Sequence, residues 1–260
     1  MSLRLAVERA THRVVIRRRL PPPFDRARIH ASTEGGLRYL ARTMADVDPG
    51  LLRLAAQVVR PGDTVWDIGA NMGLFSFAAA VAAGPQGHVL AVEPDTDLAR
   101  PLRRPAGGAP EPGRQRAARA PVEVLPAAVS DGLSVARFNV ARRNRATSHL
   151  EGFGTAMAGG VRAAQLVPTV TLDWLAARFP APDVLKVDVE GAELAVLSGG
   201  AGVPARARAV ICEVCGQNPA PVTALLSGHG YALYDGDEPG PDRTPVEAAT
   251  FSTLAIAARG

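Results

Sequence analysis

The sequence predicts an α/β fold of the doubly wound kind, with a mostly parallel sheet between layers of helices. The stretch T-V-W-D-I-G-A-N-M-G, from Thr64 to Gly73, joins a short apolar run to a glycine turn, and residues 74–83 then read as a helix. Further short apolar runs at 88–92, 122–125 and 184–187 alternate with helical stretches. Ligands of such sheets bind beyond the carboxyl ends of the strands, so the glycine turn predicts a ligand-facing corner.

The glycine turn does not match the fingerprint of a dinucleotide site. That fingerprint is G-x-G-x-x-G, whereas here three residues separate Gly69 from Gly73, and Asn71 stands where the second glycine would fall. A carboxylate at Asp67, two residues before Gly69, would repel an anion and attract an ammonium or a sulfonium group. The turn therefore favours a cationic ligand, with an ordinary strand-to-helix turn as the plain alternative.

Residues 1–47 form a predicted N-terminal extension, which could cap the substrate side of a single domain at 48–260. Val14 to Ile16 has the composition of a strand, which three prolines at 21–23 would end. Asp48 and Pro49 are typical of the N-cap and the first position of a helix, and Pro61 marks where this helix must have ended.

The second half of the chain is less regular. A helix is predicted from Asp95, after which residues 105–121, rich in Pro, Gly, Ala and Arg, predict a mobile surface insertion. Residues 134–140 and 162–170 predict a β-hairpin over the site, and Thr171 is a predicted N-cap. The remaining predicted elements are helices at 172–178, 192–197 and 222–226 and strands at 209–214, 231–234 and 250–257, the last one antiparallel.

Acidic residues follow two of the predicted strands. Glu93 ends the second strand, 24 residues after Gly69, where an acid commonly accepts hydrogen bonds from ribose hydroxyls. Asp188 and Glu190 follow the strand at 184–187, and crowding two carboxylates there is costly unless a cation or hydrogen-bond donors await them. A helix dipole would explain Glu190 adequately but Asp188 poorly.

Composition limits the classes of function. The chain has 260 residues, is 47% hydrophobic and carries a net charge of +4, which are values of an ordinary globular domain. Two clusters of arginine, at 17–19 and at 142, 143 and 145, lack interleaved aromatic residues, so we expect no nucleic-acid partner. No segment has the length and hydropathy of a signal peptide or a membrane span, so no membrane partner is expected.

The two cysteines point to a reduced, cytoplasmic protein. Cys212 and Cys215 have no second pair and no nearby histidines, which disfavours a structural zinc site. Placed in one predicted strand, they would lie on opposite faces and could not form a disulfide.

Several stretches together resemble the FkbM-type methyltransferase family, class I enzymes that use S-adenosylmethionine. They are V-W-D-I-G-A-N-M-G-L-F-S from Val65, A-V-E-P-D from Ala91, A-A-V-S-D-G from Ala127, and T-L-D-W-L from Thr171 with L-K-V-D-V-E-G-A-E from Leu185. The resemblance implies a Rossmann-like sheet of seven strands, six parallel and one antiparallel. The chain departs from the family pattern in the Pro/Gly-rich stretch after Leu102, and at Cys215, where a histidine is expected.

The resemblance also implies roles for named residues. The methionine portion of the cofactor would be held by Asp67, directly or through water, and by the turn that contains Gly69, Ala70, Asn71 and Gly73. Glu93 would bind the ribose hydroxyls, Asp131 and the Ala128 backbone would meet the adenine edge, and Asp188 would lie near the methyl donor. Candidates for the base that accepts the proton of a hydroxyl acceptor are Asp188, Glu190 and His149.

The predicted function is O-methylation of a hydroxyl on a small molecule such as a sugar, a polyketide or another secondary metabolite. The alternatives are a NAD-dependent oxidoreductase on a similar sheet and an RNA methyltransferase or RNA-binding protein. No metal site is predicted: Asp188, Glu190 and Glu213 could ligate Mg²⁺, but no tight ligand spacing demands it. The sequence leaves the acceptor and the oligomeric state open.

Overall fold

The computed structural model describes residues 14–32, 35, 38–106, 119–142, 145–154, 160–200, 202–216, 218–238, 240 and 242–258. The strands are β1 (Val15–Arg19), β2 (Arg28–Ser32), β3 (Thr64–Ile68), β4 (His88–Val92), β5 (Val122–Leu125), β6 (Ala128–Val129), β7 (Ser134–Ala141), β8 (His149–Leu150), β9 (Val161–Val170), β10 (Val184–Val187), β11 (Ala209–Glu213), β12 (Tyr231–Asp235) and β13 (Ser252–Ala257). The α-helices are α1 (Arg38–Ala41), α2 (Pro49–Val58), α3 (Leu74–Ala83), α4 (Thr96–Ala106), α5 (Leu172–Ala176), α6 (Glu193–Ser198) and α7 (Pro219–Gly228).

Seven strands form the central sheet in the order β12-β13-β11-β10-β3-β4-β5. Strands β3, β4, β5, β10 and β11 pair in parallel, while β13 is antiparallel to both of its neighbours. This confirms the predicted sheet of six parallel strands and one antiparallel strand. The last strand does not lie at the edge of the sheet, because β12 pairs with its outer side.

Side chains of the central strands alternate between two apolar layers. Val65 and Val184 belong to one buried cluster with α2 and α3, whereas their neighbours Trp66 and Leu185 belong to another with α5, α6 and α7. Because both faces are covered, these strands read as continuous apolar runs rather than as alternating patterns. The same alternation of side chains continues into the polar residues at the strand ends. It therefore determines which of the acids face the same side of the sheet.

The described part of the N-terminal extension packs onto the domain instead of standing apart. Strands β1 and β2 pair antiparallel, and β2 contacts α3 and α4. Ile29 and Ala31 are fully buried in the same apolar cluster as α3. The strand predicted around Val14 to Ile16 is therefore present, while the role of the extension as a substrate-side cap stays a prediction.

A second sheet, in the order β6-β9-β7-β8, rises from the end of β5. Its main part is the long antiparallel pair β7 and β9, which confirms the predicted hairpin. We call β7, β8, β9 and the short 3₁₀ turn Arg145–Thr147 the cap. The predicted mobile insertion at 105–121 falls mostly on residues 107–118, which lie outside the described residues.

Two boundary predictions need correction. Strand β11 ends at Glu213, so Cys215 lies beyond it, and the argument that placed both cysteines on opposite faces of one strand was wrong. The helix after Thr171 ends at Ala176 rather than at 178, although Thr171 caps it as predicted by accepting a hydrogen bond from the Trp174 N–H.

Gly69 is the most constrained position of the turn after β3. Its φ is +80°, and a Cβ placed there would lie 1.8 Å from the carbonyl oxygen of Asp188. Gly62 has a similar φ of +90°, but a Cβ there would meet nothing within 4 Å. The close approach of β3 and β10, and not the left-handed backbone alone, therefore requires glycine at position 69.

We predict that Gly69→Ala destabilises the protein more than Gly62→Ala does. Both variants carry the cost of a left-handed alanine, about 1 kcal/mol, but only Gly69→Ala forces the ends of β3 and β10 apart. Urea unfolding of the two variants and the wild type measures the difference. Equal losses of unfolding free energy would show that the contact with Asp188 costs nothing.

Candidate active site

A cavity of about 580 Å³ opens at the carboxyl ends of β3, β4, β10 and β11. Its wall combines the turn after β3, acids from three strand ends, and part of the cap. The residues from these three sources are Gly69, Ala70 and Asn71; Glu93, Asp188, Glu190 and Glu213; and Phe138, Arg145, Thr147, Ser148 and Leu150. This is where ligands bind in open parallel sheets.

Lys186, the only lysine of the chain, lies buried at the floor of this cavity. Its Nζ is 3.0 Å from Asp67 Oδ1 and 3.2 Å from Asp188 Oδ2, and it donates to the Gly69 carbonyl at 3.2 Å. Burial alone would lower the pKa of Lys186, but Asp188 and Asp67 raise it above its ordinary value. The lysine therefore stays charged and offsets the two carboxylates.

Glu93 lies just after the end of β4 and lines the cavity. Its two carboxylate oxygens accept hydrogen bonds from the backbone N–H groups of Asn71, at 2.7 Å, and Asp95, at 2.8 Å. Burial raises the pKa of Glu93 to about 8. Because a carboxylate has about four acceptor sites, Glu93 keeps acceptor capacity for two further donors, such as a pair of vicinal hydroxyls.

Asn71, in the turn after β3, lines the cavity. It has a positive φ of +51°, and its side-chain Oδ1 is buried without a hydrogen-bond partner in the described part of the chain. A buried polar atom that lacks a partner is costly, so an orphan acceptor on a cavity wall points to a ligand that donates. An ammonium group would meet this requirement.

Glu190 and Glu213 are the acids without a fixed partner. Neither side chain hydrogen-bonds to or forms an ion pair with another described residue, and Glu190 has a positive φ of +56°. Burial, followed by the charge of Asp188, raises the pKa of Glu190 to about 7 and that of Glu213 to about 8. Both groups can therefore exchange a proton near neutral pH.

Seven of the residues predicted from the sequence line the cavity, and these are Gly69, Ala70, Asn71, Glu93, Ala128, Asp188 and Glu190. Asp67 does not, because its side chain is fully buried between Lys186 and the Ser76 hydroxyl, which donates to it at 2.5 Å. Asp67 is connected to the cavity through its ion pair with Lys186, and its role in holding the methionine portion, directly or through water, stays a prediction. Gly73 does not line the cavity either, and a Cβ placed on it would lie 2.4 Å from the side chain of Leu102.

Two further predicted residues lie away from the cavity. Asp131 is exposed and is not among the residues that line the cavity, so its predicted contact with an adenine edge stays a prediction. His149 lies in β8 between Ser148 and Leu150, both of which line the cavity. Since successive side chains of a strand point to opposite faces, the ring of His149 turns away, towards Gly154 and the Thr147 carbonyl.

Sequence reasoning missed several residues of the site. Lys186 stood out only as a lone lysine in an arginine-rich chain, and that rarity was the available signal. Glu213 was considered only as a metal ligand, and Arg145 only as part of a basic cluster. Cys215 also lines the cavity, but burial raises the pKa of its thiol to about 12, so it stays protonated.

The described residues contain no group of three or more His, Cys, Asp or Glu side chains arranged to hold a metal ion. Among the helices of the described ranges, none combines the length and the apolar character that crossing a membrane requires.

The sheet and its cavity define a class of protein. Seven strands, with one antiparallel strand next to the parallel ones and a cavity at their carboxyl ends, form the Rossmann-like architecture of class I methyltransferases. Residues 67–233 match the family model of the methyltransferase FkbM domain. The chain therefore belongs to the FkbM methyltransferase family, which confirms the resemblance seen in the sequence and implies S-adenosylmethionine as cofactor.

Individual relatives are distant. The hexuronic acid methyltransferase AglP of Haloferax volcanii is 29% identical over 180 residues, which make up 68% of this chain and 66% of that protein, just under two thirds of its length. The FkbM methyltransferase structure from Methylobacillus flagellatus is 14% identical, with a TM-score of 0.47 over 79% of this chain and 50% of the other. Fibrillarin of Aeropyrum pernix with natively bound S-adenosylmethionine is 14% identical, with a TM-score of 0.42 over 80% of this chain and 76% of the other.

We predict that Lys186→Met destabilises the protein by about 3–5 kcal/mol, because it leaves the buried Asp67 uncompensated and takes from Asp188 its partner at the cavity surface. The double variant Asp67→Asn/Lys186→Met should be more stable than Lys186→Met alone, since it removes one of the two stranded charges. Urea unfolding at one pH measures both. If the double variant is the less stable one, the ion pair is not the cause of the loss.

A second prediction concerns pH. In the folded chain Glu213 has a pKa of about 8, above its ordinary value of 4.5, so between these values the folded state binds more protons than the unfolded state. Stability from this group is therefore present at low pH and is lost as pH rises towards 8. We expect the wild type to lose unfolding free energy relative to Glu213→Gln between pH 5 and pH 8, roughly.

The matched control for this pH dependence is Glu190→Gln, for which the window should end lower because the pKa of Glu190 is about 7. Parallel stability curves for the wild type and Glu213→Gln would mean that Glu213 titrates in the folded chain as it does in the unfolded chain.

Proposed function

We propose that this protein transfers a methyl group from S-adenosylmethionine to a hydroxyl of a small molecule. The observation that carries the proposal is the joint position of Glu93 and Asn71 on one cavity wall. Glu93 offers acceptor sites for vicinal hydroxyls, and the orphan Oδ1 of Asn71 offers one for an ammonium group. S-adenosylmethionine carries both kinds of donor, the vicinal hydroxyls of its ribose and the ammonium of its amino-acid end.

The other walls fit the same cofactor. Glu93 would hold the ribose hydroxyls, the turn from Gly69 to Asn71 would hold the methionine portion, and Ala128 would lie beside the adenine. When bound, S-adenosylmethionine supplies an electrophilic methyl group on a sulfonium. The acids at the ends of β10 and β11 favour a cation at this place, because Lys186 offsets only part of their charge.

The chain itself must then orient the acceptor hydroxyl, exclude water from the site and accept the proton that the hydroxyl loses. Asp188, Glu190 and Glu213 all face the cavity and are the candidates for that base. Asp188 is already paired with Lys186, whereas Glu190 and Glu213 have no fixed partner and pKa values of about 7 and 8. These two glutamates therefore suit proton transfer near neutral pH better than Asp188 or His149 does.

The acceptor that we favour is a sugar or a glycan-like metabolite. The support is the relative AglP, whose name describes a hexuronic acid methyltransferase. The residues that would face the acceptor come from the cap and from the N-terminal extension, where Arg38 and Tyr39 line the cavity. Phe251 also lines the cavity.

The two rival functions receive less support from the site. A NAD-dependent oxidoreductase needs room for a pyrophosphate beside the glycine turn, where this chain has Asn71 and an acidic floor. An RNA-binding role relied on clustered arginines, but Arg145 has a side chain only 8% exposed and is paired with acids, so it is not available to a phosphate. The oxidoreductase also leaves the orphan acceptor at Asn71 without a donor.

The test is the binding of S-adenosylhomocysteine, measured by calorimetry and by thermal shift, with NAD as the competing probe. We predict a rise in melting temperature with S-adenosylhomocysteine and none with NAD. Glu93→Gln should weaken S-adenosylhomocysteine about tenfold, because the amide puts a donor where the ribose hydroxyls need an acceptor, and a buried polar group without a partner costs about 1–3 kcal/mol. Stabilisation by NAD alone would overturn the proposal, and Glu123→Gln, at an exposed strand residue, is the control.

A further inference from the structure

Arg145 is one of the arginines that the sequence shows as a basic cluster, yet its side chain turns inward. Its Nε lies 2.5 Å and its Nη2 2.8 Å from the two carboxylate oxygens of Asp95, a side chain that is 1% exposed. The same Nη2 lies 2.7 Å from Asp97 at the protein surface. Two parallel N–H···O bonds to one carboxylate form the arrangement that is specific to arginine.

This ion pair joins the cap to the central sheet. Arg145 belongs to the 3₁₀ turn between β7 and β8, whereas Asp95 lies in the short connection between β4 and α4. Gln165 of β9 reinforces the contact, because its amide lies 3.3 Å from Asp95 and its oxygen accepts a hydrogen bond from the Thr96 hydroxyl at 3.0 Å. Two parts of the cap, the 3₁₀ turn and β9, thus contribute to holding Asp95.

Asp95 in turn holds Glu93. The backbone N–H of Asp95 donates to Glu93 Oε1 at 2.8 Å, while the N–H of Asn71 holds the other oxygen. Any displacement of Asp95 therefore moves one of the two donors that fix the Glu93 carboxylate. Arg145 and Asp95 also line the cavity themselves, next to Glu93.

We propose that Arg145 is a positioning residue for the cofactor: by clamping Asp95 it fixes the Glu93 carboxylate in the orientation that receives the ribose hydroxyls. The inference rests on the proposed function and adds to it that the cap takes part in cofactor binding as well as in covering the acceptor. Arg145 does not contact the ribose in this arrangement; it acts through the chain from Asp95 to Glu93. An ion pair buried to this degree is costly unless its geometry is good, and here both partners are satisfied.

The experiment measures the affinity for S-adenosylhomocysteine by calorimetry in the full chain. Arg145→Gln should weaken binding about tenfold, as loss of a partner that orients a binding residue commonly does. Arg145→Lys keeps the positive charge beside Asp95, and so keeps the fold, but it loses the bidentate fork and should weaken binding several-fold. Thermal unfolding without ligand checks that each variant is folded at the temperature of the measurement.

Two matched controls separate positioning from a general loss of structure. Arg137→Gln removes an exposed arginine of the same hairpin, and Asp97→Asn removes only the surface contact of Arg145. Both should bind S-adenosylhomocysteine like the wild type. A double-mutant cycle adds the decisive readout: if Arg145 acts through Glu93, Arg145→Gln should cost clearly less in the Glu93→Gln background than in the wild type.

The outcomes are distinguishable. If the wild type does not bind S-adenosylhomocysteine, the proposed function fails, and the role of Arg145 fails with it. If the wild type binds and both Arg145 variants bind within twofold of it, only the role of Arg145 is overturned. Losses that add in the double-mutant cycle overturn it as well, because they would show that Arg145 and Glu93 act independently.

Discussion

The ion pairs of Lys186 are the interaction on which the rest of the site depends. In the register of β10 and β3, Lys186 lies beside Asp67, and Asp188 follows two residues later on the same face. A buried ammonium or a buried carboxylate alone would be too costly to keep charged, and only their combination makes this polar floor compatible with an apolar sheet. The same combination takes Asp67 out of contact with ligands and leaves Asp188 at the cavity surface.

The turn after β3 is positioned by this floor. Lys186 donates to the Gly69 carbonyl, and the Asp188 carbonyl lies where a Cβ of residue 69 would be. The turn, the floor and the acid at the end of β4 then form one network, because Asn71 donates from the turn to Glu93. Contacts from β3, β4 and β10 therefore fix one another, and the cap joins this network through Asp95. Such mutual support is what holds a binding site in one geometry before a ligand arrives.

The parts of the site that sequence could predict are those set by local pattern. Apolar runs that are buried on both faces identified β3, β4, β5 and β10, and the acids at their ends had to meet at one edge of the sheet. The side chains of Asp131 and His149 could not be placed, because their directions depend on how β6 and β8 pair within the second sheet. Arg145 resembled a solvated charge, and only its pairing with a residue 50 positions earlier shows otherwise. Long-range pairing of this kind leaves no periodic trace in a single sequence.

The unpaired glutamates mark the side of the cavity where chemistry is expected. Glu213 lies on the same sheet face as Lys186, since Ile211 is the register partner of Lys186 and the strand alternates from there. It is fixed by a strand that is paired on both sides, through β10 and β13, whereas Glu190 is held in a left-handed turn. A rigid strand orients a proton acceptor more precisely than a turn does, and a raised pKa matches it to a hydroxyl near neutral pH. If the proposed transfer to a hydroxyl takes place here, the geometry of the backbone therefore favours Glu213 over Glu190 as its base.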